Sequence, residues 1–416
     1  MQAARSTINN AATSILLIVF IFVSSKLKLF YKQISILLDE KDVKINLNQP
    51  VSYKKQEKPR ILVAPLDWGL GHAARCIPII RELLVQGCEV ITGGSGSSRM
   101  ILQSEFPALL HLEAPSFVVR YSKSKWMFPL KMMEQFPLLK KQSIRETNWL
   151  NEIVEQYSID AVISDNRFGM HHGKIPCIFI SHQLGLKSGL GKFIDRFIQR
   201  NQYTILDKYA ACWVPDYETG VSLAGELSHP FKKPQLPLYY LGALSRFERK
   251  KLPGKKNHVL VILSGPEPQR TILEKIIRTD IDKFEGTVTI VRGLPDSSEQ
   301  IPSTGSVQYF NHLPAEKLNE QIIAAEYIIS RSGYSTLMDI IPLQKKSVLI
   351  PTPGQPEQEY LGAYYLKQHM ALCIKQKHFS FTEAIRKATD FSYRLPILPV
   401  NDKLSEVIRQ FLAAIH

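Results

Sequence analysis

Residues 60–92 read RILVAPLDWGLGHAARCIPIIRELLVQGCEVIT, and this stretch decides the fold class. It begins with a short apolar run at 60–65, which ends in a glycine-rich turn. Apolar residues at helical spacing follow from Cys76 to Gln86, Gly87 closes the helix, and 88–92 is a second apolar strand. Strand, glycine-rich turn, helix and strand in this order predict a βαβ unit with a parallel sheet.

The same alternation continues in two series, separated by a charged segment at 249–256 that proline and glycine interrupt. We therefore predict an α/β fold of two Rossmann-like domains, at 60–248 and 257–398, with an active-site cleft between them. A C-terminal helix within 399–416 is expected to return to the first half. Further strands are expected at 159–164, 177–181, 211–215, 258–263, 287–292, 307–310, 327–330 and 347–350, and a further helix at 270–279.

The composition favours anionic partners. The 416 residues carry a formal net charge of +14, with ordinary fractions of hydrophobic residues (44%) and charged residues (22%). The chain has no nucleic-acid module signature and no zinc-ligand spacing, so nucleic acid is not expected as a partner. An anionic membrane surface and phosphorylated small molecules remain as the better interpretations.

Cysteine usage indicates a reducing compartment. The five cysteines are scattered, lie in apolar contexts and form no CxxC pair, so buried free thiols are expected. We therefore predict a cytoplasmic protein, located peripherally on the inner face of the membrane if it associates with lipid.

The N-terminal segment, residues 1–59, differs from the rest of the chain. Residues 15–23 form an unbroken apolar run that is shorter than the ~20 residues a spanning helix needs. Three interpretations compete: a cleaved signal peptide, a short membrane anchor, or a non-functional extension. The residues from 41 to 60 are predicted to be a polar, basic linker.

The turn after the first strand is the first candidate site. Gly69 and Gly71 would let a ligand approach the backbone at a helix N-terminus, which favours negative charge. Histidine can act as a general base near neutral pH, so His72 is a candidate base. The alternative is that His72 only caps the helix. Asp165 ends another strand in the same half and is a second candidate base, with loop capping as the alternative.

The second half carries three more polar turns. Their residues suit a nucleotide sugar: amides and a guanidinium for a diphosphate, hydroxyls at a helix start, a carboxylate for ribose hydroxyls, and an amide–carboxylate pair for sugar hydroxyls. A simple turn is the alternative for the first of them. The candidates are Ser264, Gly265 and Arg270 in the first turn, Ser332, Gly333, Ser335, Thr336 and Asp339 in the second, and Gln358 and Glu359 in the third.

These motifs resemble, in their order, the family 28 glycosyltransferases of the GT-B fold, which include the N-acetylglucosaminyltransferase of the peptidoglycan lipid precursor. The stretch SRSGYSTLMD at 330–339 is similar to the family signature S-x-x-G-x-x-T-x-x-E, with Asp339 in place of the ribose-binding Glu. The resemblance implies that Gln358 and Glu359 contact the donor sugar. It also implies that the segment containing His312 and Leu313 reads the uracil.

The resemblance further implies an acceptor half, a donor half and a uridine diphosphate sugar as co-substrate. Direct inverting displacement would need no cofactor and no metal ion. The D-x-D pattern at 280–282 lies away from the predicted strand ends, and we interpret it as a solvated loop.

The first turn, GLGHAARC at 69–76, also resembles the G-x-G-H-x-x-R-C turn of the UDP-sugar hydrolase of pseudaminic acid synthesis. That enzyme implies His72 as the catalytic base and water as the acceptor. A hydrolase is therefore the first alternative to the transferase. A non-catalytic sugar-nucleotide binding protein of the same fold is the second.

Residues 121–145 mix lysines and arginine with aromatic residues and methionines. This mixture suits an anionic membrane surface, and an ordinary amphipathic helix is the alternative. Together the patterns predict a glycosyltransferase, of hexosyl or N-acetylhexosaminyl type, that acts on a lipid-linked or glycan acceptor in cell-envelope synthesis.

Overall fold

The computed structural model describes residues 58–116, 128–189, 191–250, 252–295, 297–399 and 403–415; in the helix that begins at Phe128, side chains are described from residue 137 onward. The N-terminal apolar run at 15–23 and the first part of the segment 121–145 lie outside these residues. Among the residues described, no helix is both long and apolar enough to cross a bilayer.

The first half is a seven-stranded sheet in which every strand pair is parallel. The strand order is β3-β2-β1-β4-β5-β6-β7. The strands are β1 Arg60–Pro65, β2 Glu89–Gly94, β3 Leu110–Glu113, β4 Ala161–Asp165, β5 Cys177–Ile180, β6 Ala211–Val214 and β7 Leu238–Tyr240. The helices are α1 Leu70–Val85, α2 Gly96–Glu105, α3 Phe128–Gln156 and α4 Lys192–Leu206.

The second half repeats the plan with six parallel strands, in the order β10-β9-β8-β11-β12-β13. The strands are β8 His258–Ile262, β9 Thr287–Val291, β10 Val307–Phe310, β11 Tyr327–Ser330, β12 Lys346–Leu349 and β13 Leu372–Cys373. The helices are α5 Gln269–Arg278, α6 Ala315–Ala324, α7 Tyr334–Ile340, α8 Pro356–Lys367, α9 Phe381–Asp390 and α10 Lys403–Ile415.

The predicted strands are all present, with ends shifted by no more than two residues. Three strands that the sequence analysis missed, β3, β7 and β13, are short and lie at sheet edges. They are partly exposed, so they lack the buried apolar run that identifies a central strand.

Helix α1 begins at Leu70, six residues before the predicted start at Cys76. Gly69 precedes it with a φ of 116°, which only glycine adopts readily. In the first turn Gly71 contacts Ser335 of the other half, and the glycine and histidine there interrupt the apolar periodicity. His72 consequently lies in the first turn of the helix and not in the loop before it.

One apolar cluster runs through both halves. Helix α10 joins it by packing against α1, where Gln86 Nε2 donates to the main-chain oxygen of Ser405 at 3.0 Å. Phe411 of α10 also contacts Trp213 of β6, with ring centroids 5.4 Å apart. The last helix thus returns to the first half, as the sequence predicts.

In both sheets the strand order reverses between two central neighbours, β1 and β4 in the first half and β8 and β11 in the second. The loops that follow these strands diverge and leave a crevice, where open α/β sheets bind their ligands. His72 follows β1, Asp165 ends β4, Gly265 follows β8 and Gly333 follows β11. The topology therefore brings four separate parts of the sequence to the switch points.

Candidate functional site

Asp165 is the centre of a buried polar cluster in the first half. Its side chain is fully buried, and its carboxylate accepts hydrogen bonds from Arg75 Nε at 2.6 Å and from Arg75 Nη2. His72 Nδ1 lies 3.1 Å from Asp165 Oδ1, and the His72 side chain is 19% exposed. Burial alone would raise the pKa of Asp165, but the charges of Arg75 and His72 lower it to about 2. Asp165 is therefore ionised at neutral pH.

This geometry changes the interpretation of Asp165. A carboxylate with a pKa of about 2, enclosed by an arginine, is a weak proton acceptor at neutral pH. It lies beside His72 Nδ1 together with Arg75 Nη2, which is 2.9 Å from the same atom, and the two side chains position the imidazole ring. The role of Asp165 as a second general base stays a prediction, and its burial weighs against it.

The start of α7 faces the start of α1 across the cleft. Ser335 Oγ donates a hydrogen bond to the main-chain oxygen of Gly71 at 3.1 Å. A Cβ atom on Gly71 would lie only 2.6 Å from Ser335 Oγ, whereas a Cβ on Gly69 or Gly333 would meet no atom within 4 Å. Two helix N-termini therefore converge here, and each favours an anionic ligand.

A second contact between the halves joins His182 and Gln183, which follow β5 and are expected from the sequence to line the cleft, to Glu357, which the sequence did not assign to the site. Glu357, in the first turn of α8, accepts hydrogen bonds from His182 Nε2 at 2.8 Å and from Gln183 Nε2. The His182 ring stacks on Tyr334, with centroids 4.0 Å apart. Arg75 Nη1 lies 3.4 Å from His182 Nδ1, which links this contact to the Asp165 cluster.

The residues predicted to hold the nucleoside lie near the segment that joins the halves. Asp339 is half-buried, burial raises its pKa to about 6, and it accepts a hydrogen bond from Ser245 Oγ at 2.8 Å. Arg246 interacts electrostatically with Asp339, and partial burial together with Arg246 lowers the pKa of His312. Leu313 beside it is buried. Arg246 was not assigned to the site from the sequence.

The predicted diphosphate-binding residues of the loop after β8 do not all lie together. Gly265, with a φ of 98°, lies close to Thr352, whose buried hydroxyl has no hydrogen-bond partner among the described residues. Ser264 precedes it and is half-buried. Arg270 points elsewhere: it is buried, and its guanidinium bonds Glu267, Glu274 and Thr271. Its assignment to the diphosphate stays a prediction, and these bonds weigh against it.

The remaining predicted residues connect the loop after β11 to the start of α8. Ser332 Oγ donates to the main-chain oxygen of Gln358 at 2.7 Å, and Gln358 Oε1 accepts from the Thr352 amide at 2.9 Å. Glu359 accepts from the Gly354 amide at 3.3 Å. Thr336 follows Ser335 in α7 and is half-buried. These contacts hold the loop in place beside the cleft.

The D-x-D pattern has a structural role at one of its two acids. The Asp280 carboxylate accepts hydrogen bonds from Ser380 Oγ and from the amides of Phe381 and Thr382, at the start of α9. The interpretation of this acid as part of a solvated loop is therefore wrong. In the described part of the chain, no group of three or more His, Cys, Asp or Glu side chains is arranged to hold a metal ion.

Arg75, Arg246, Tyr334 and Glu357 were not assigned to the site from the sequence, although three of them carried a signal. Arg75 follows His72 by three residues and so shares its helix face, Tyr334 stands between the predicted Gly333 and Ser335, and Glu357 directly precedes the predicted pair Gln358 and Glu359. Arg246 had no such signal, because its neighbours come from distant parts of the chain.

Two parallel-sheet halves of this kind define the GT-B fold, and solved glycosyltransferases share it. The chain is similar to the glycosyltransferase SnogD from Streptomyces nogalater, with a TM-score of 0.55 and 12% identity over 86% of this chain and 100% of the other. It is similar to the spinosyn rhamnosyltransferase SpnG, solved with thymidine diphosphate, with a TM-score of 0.53 and 14% identity over 86% and 96%. At these identities the similarity shows the fold.

Sequence comparison shows that the second half is similar to a known family domain. Residues 260–395 match the glycosyltransferase family 28 C-terminal domain. The chain is also 22% identical, over 320 residues, to an uncharacterized glycosyltransferase of Methanosarcina acetivorans, covering 72% of this chain and 81% of that protein. The Ser332, Asp339 and Gln358 turns all lie within the matched domain.

Proposed function

We propose that the protein is a glycosyltransferase that transfers a hexosyl or N-acetylhexosaminyl group from a uridine diphosphate sugar to a lipid-linked or glycan acceptor. The observation that carries this proposal is the position of His72. It lies in the first turn of α1, 3.1 Å from the Asp165 carboxylate, and one residue from the contact with Ser335 in the family 28 domain. A candidate base and a candidate diphosphate site therefore face each other across the cleft.

The chemistry follows from the charges. Asp165 Oδ1 and Arg75 Nη2 both lie within hydrogen-bond distance of His72 Nδ1, at 3.1 and 2.9 Å. A proton on Nδ1 that is donated to the ionised Asp165 would leave the Nε2 lone pair to take the acceptor proton. The acceptor oxygen then attacks the anomeric carbon from the side opposite the diphosphate, and the configuration inverts. Gly333, Ser335 and Gly265 would stabilise the leaving diphosphate through amides and a hydroxyl, without a metal ion or cofactor.

The assignment of the donor rests on the family 28 domain and on its three polar turns. Asp339 would accept the ribose hydroxyls, His312 and Leu313 would border the uracil, and Gln358 and Glu359 would contact the sugar. A cytoplasmic location, peripheral to the inner membrane and serving cell-envelope synthesis, fits such a donor and the buried state of four of the five cysteines.

The test measures binding of UDP and UDP-sugars to the full-length protein and then UDP release with and without a lipid extract. We expect UDP release that requires the extract. Release in buffer alone would identify a UDP-sugar hydrolase, in which water replaces the acceptor. Absence of UDP binding would refute the donor assignment.

His72→Ala tests the base. We expect turnover to fall by about a hundredfold or more, since general-base catalysis contributes about that much, while the affinity for UDP is kept. His378→Ala is the matched control, because His378 is exposed in the second half. Unchanged turnover in His72→Ala would refute His72 as the base. Binding of a UDP-sugar without any turnover in the unsubstituted protein would favour a non-catalytic binding protein.

A further inference from the structure

Helix α4 exposes apolar side chains along its first half. Towards its end it packs on the protein through Gln202, Tyr203 and Leu206, which are buried. Gln199 Nε2 and Gln202 Nε2 donate to the main-chain oxygens of Leu184 and Gln183, each at 2.9 Å. A helix that packs on a core normally buries its apolar stripe and exposes its polar residues.

Three apolar residues in the first half of the same helix face outward. The Phe193 side chain is 86% exposed, and Ile194 and Ile198 are each 37% exposed. Lys192, Arg196 and Arg200 are exposed on the same helix. Exposing a phenylalanine and two isoleucines together is unfavourable in water, unless another surface covers them.

A neighbouring loop extends this apolar and basic surface. Phe231 is fully exposed and is followed by the exposed Lys232 and Lys233. The loop is held beside α4, because Tyr203 Oη donates to the main-chain oxygen of Lys232 at 2.7 Å. We call the exposed side chains of 192–200 together with 231–233 the α4 surface.

The α4 surface begins at the rim of the cleft. Gly189, three residues before the helix, lies so close to Pro356 at the start of α8 that a Cβ atom would be 3.5 Å from Pro356 Cγ. Lys187 bonds Glu226 at 2.5 Å and lies 5.5 Å from the centre of the Tyr360 ring of α8. The loop before α4 is therefore next to the helix that carries Gln358 and Glu359.

We propose that the α4 surface docks the protein on an anionic lipid bilayer. The phenylalanines and isoleucines would enter the boundary between headgroups and acyl chains, and the lysines and arginines would contact the anionic headgroups. The one acid of the surface, Asp195, is bonded to the amide and hydroxyl of Ser188. A second copy of this chain fits less well, because two basic faces would repel each other.

The proposal deepens the proposed function and rests on it for the acceptor. Docking through the α4 surface would place the cleft mouth at the membrane, where a lipid-linked acceptor is held. It also assigns membrane contact to residues other than 121–145, the segment that the sequence singles out.

The first test is co-sedimentation of the full-length protein with vesicles of phosphatidylcholine, alone or mixed with an equal amount of phosphatidylglycerol. We expect binding only to the anionic vesicles, weakened by salt. The double variant Phe193→Glu/Phe231→Glu should bind about tenfold or more weakly, since it removes apolar area and adds negative charge. Ile397→Glu is the matched control, because Ile397 is 92% exposed elsewhere on the protein.

A second test reports on the surface itself and is independent of any binding through residues 1–57 or 121–145. An environment-sensitive fluorophore is attached to Phe231→Cys or to Ile397→Cys, with the labelled unsubstituted protein as the blank. We expect anionic vesicles to shift the emission to the blue at position 231 and not at position 397.

The proposal is overturned if the double variant binds vesicles as tightly as the unsubstituted protein, or if position 231 stays in water while the protein is bound. Oligomerisation that Phe193→Glu/Phe231→Glu abolishes, without any vesicle binding, would equally overturn it in favour of a protein interface. Affinity for UDP in solution should be the same in all these variants, so a failure of the donor assignment would be seen separately.

Discussion

Asp165 shows how one residue determines the state of its neighbours. It is enclosed by Arg75 and His72, and a buried charge of this kind is tolerated only when it is paired. Cys76 Sγ also donates to Asp165 Oδ2 at 3.8 Å. The carboxylate therefore has both a structural role, towards Arg75, and a positioning role, towards His72.

Asp165→Asn tests the structural role, because its stability loss can be compared with that caused by removing an exposed ion pair. The variant leaves Arg75 buried without its counter-charge, so we expect the free energy of unfolding to fall by about 3–5 kcal/mol. Urea denaturation measures this change. The control is Glu89→Gln, which removes an exposed carboxylate bonded to Arg60 and should cost less than about 1 kcal/mol. Equal effects of the two variants would contradict the role of Asp165.

The difference in stability between the unsubstituted protein and Asp165→Asn should depend on pH in a definite direction. The pKa of Asp165 is about 2 in the folded protein and about 3.9 in an unfolded chain, so folding favours the ionised form. Its stabilising contribution is present above about pH 4 and is lost as the pH falls towards 2. The gap in stability between the unsubstituted protein and Asp165→Asn should narrow over that range.

At the scale of elements, the contact between α1 and α7 depends on two glycines for different reasons. Gly71 is helical, so alanine there would favour the helix itself, but its Cβ would lie 2.6 Å from Ser335 Oγ. Gly69 has open space around it, but its φ of 116° strains any other residue. One glycine is required by the other half of the molecule and the other by the backbone.

A double-mutant comparison distinguishes the two requirements. Gly71→Ala should destabilise the protein by about 1–3 kcal/mol through overpacking, and Ser335→Gly in the same chain should restore most of the loss. Gly69→Ala should be destabilising with or without Ser335→Gly. Urea denaturation of the single and double variants gives the coupling energies, and additive effects at Gly71 and Ser335 would rule out the contact.

At the scale of the whole molecule, the His182–Glu357 pair joins the two halves. Burial lowers the pKa of His182, and Glu357 only partly offsets it, so the ring is neutral and Nε2–H donates to Glu357. Because folding lowers the pKa of His182, the stabilising contribution of this hydrogen bond is present above the unfolded pKa of about 6.5. It is lost as the pH falls below that value.

Glu357→Ala and Glu357→Gln form the matched pair for this contact. The alanine variant leaves the buried Nε2–H of His182 unpaired, and we expect a loss of about 1–3 kcal/mol in the free energy of unfolding. Glutamine keeps an acceptor oxygen and should cost less. Urea denaturation at neutral pH compares them, and an equal loss in both would show that the charge, not the hydrogen bond, stabilises the contact.

The sequence by itself determined the fold class, the central strands of both halves and the loops that carry His72, Gly265, Gly333 and Gln358. These features are local, because buried strands are continuous apolar runs and the turns after them contain glycine and polar residues. The short edge strands β3, β7 and β13 were not predicted in this way, since they are only partly buried.

Only the tertiary structure decided which of these loops meet and what each side chain does there. Asp165 became the partner of Arg75 and His72 because β1 and β4 are neighbours in the sheet, although they are distant in sequence. Arg270, which suits a diphosphate by its chemistry, is instead bonded to Glu267 and Glu274. Charge and hydrogen-bonding state depend on burial and on long-range neighbours, and local sequence specifies neither.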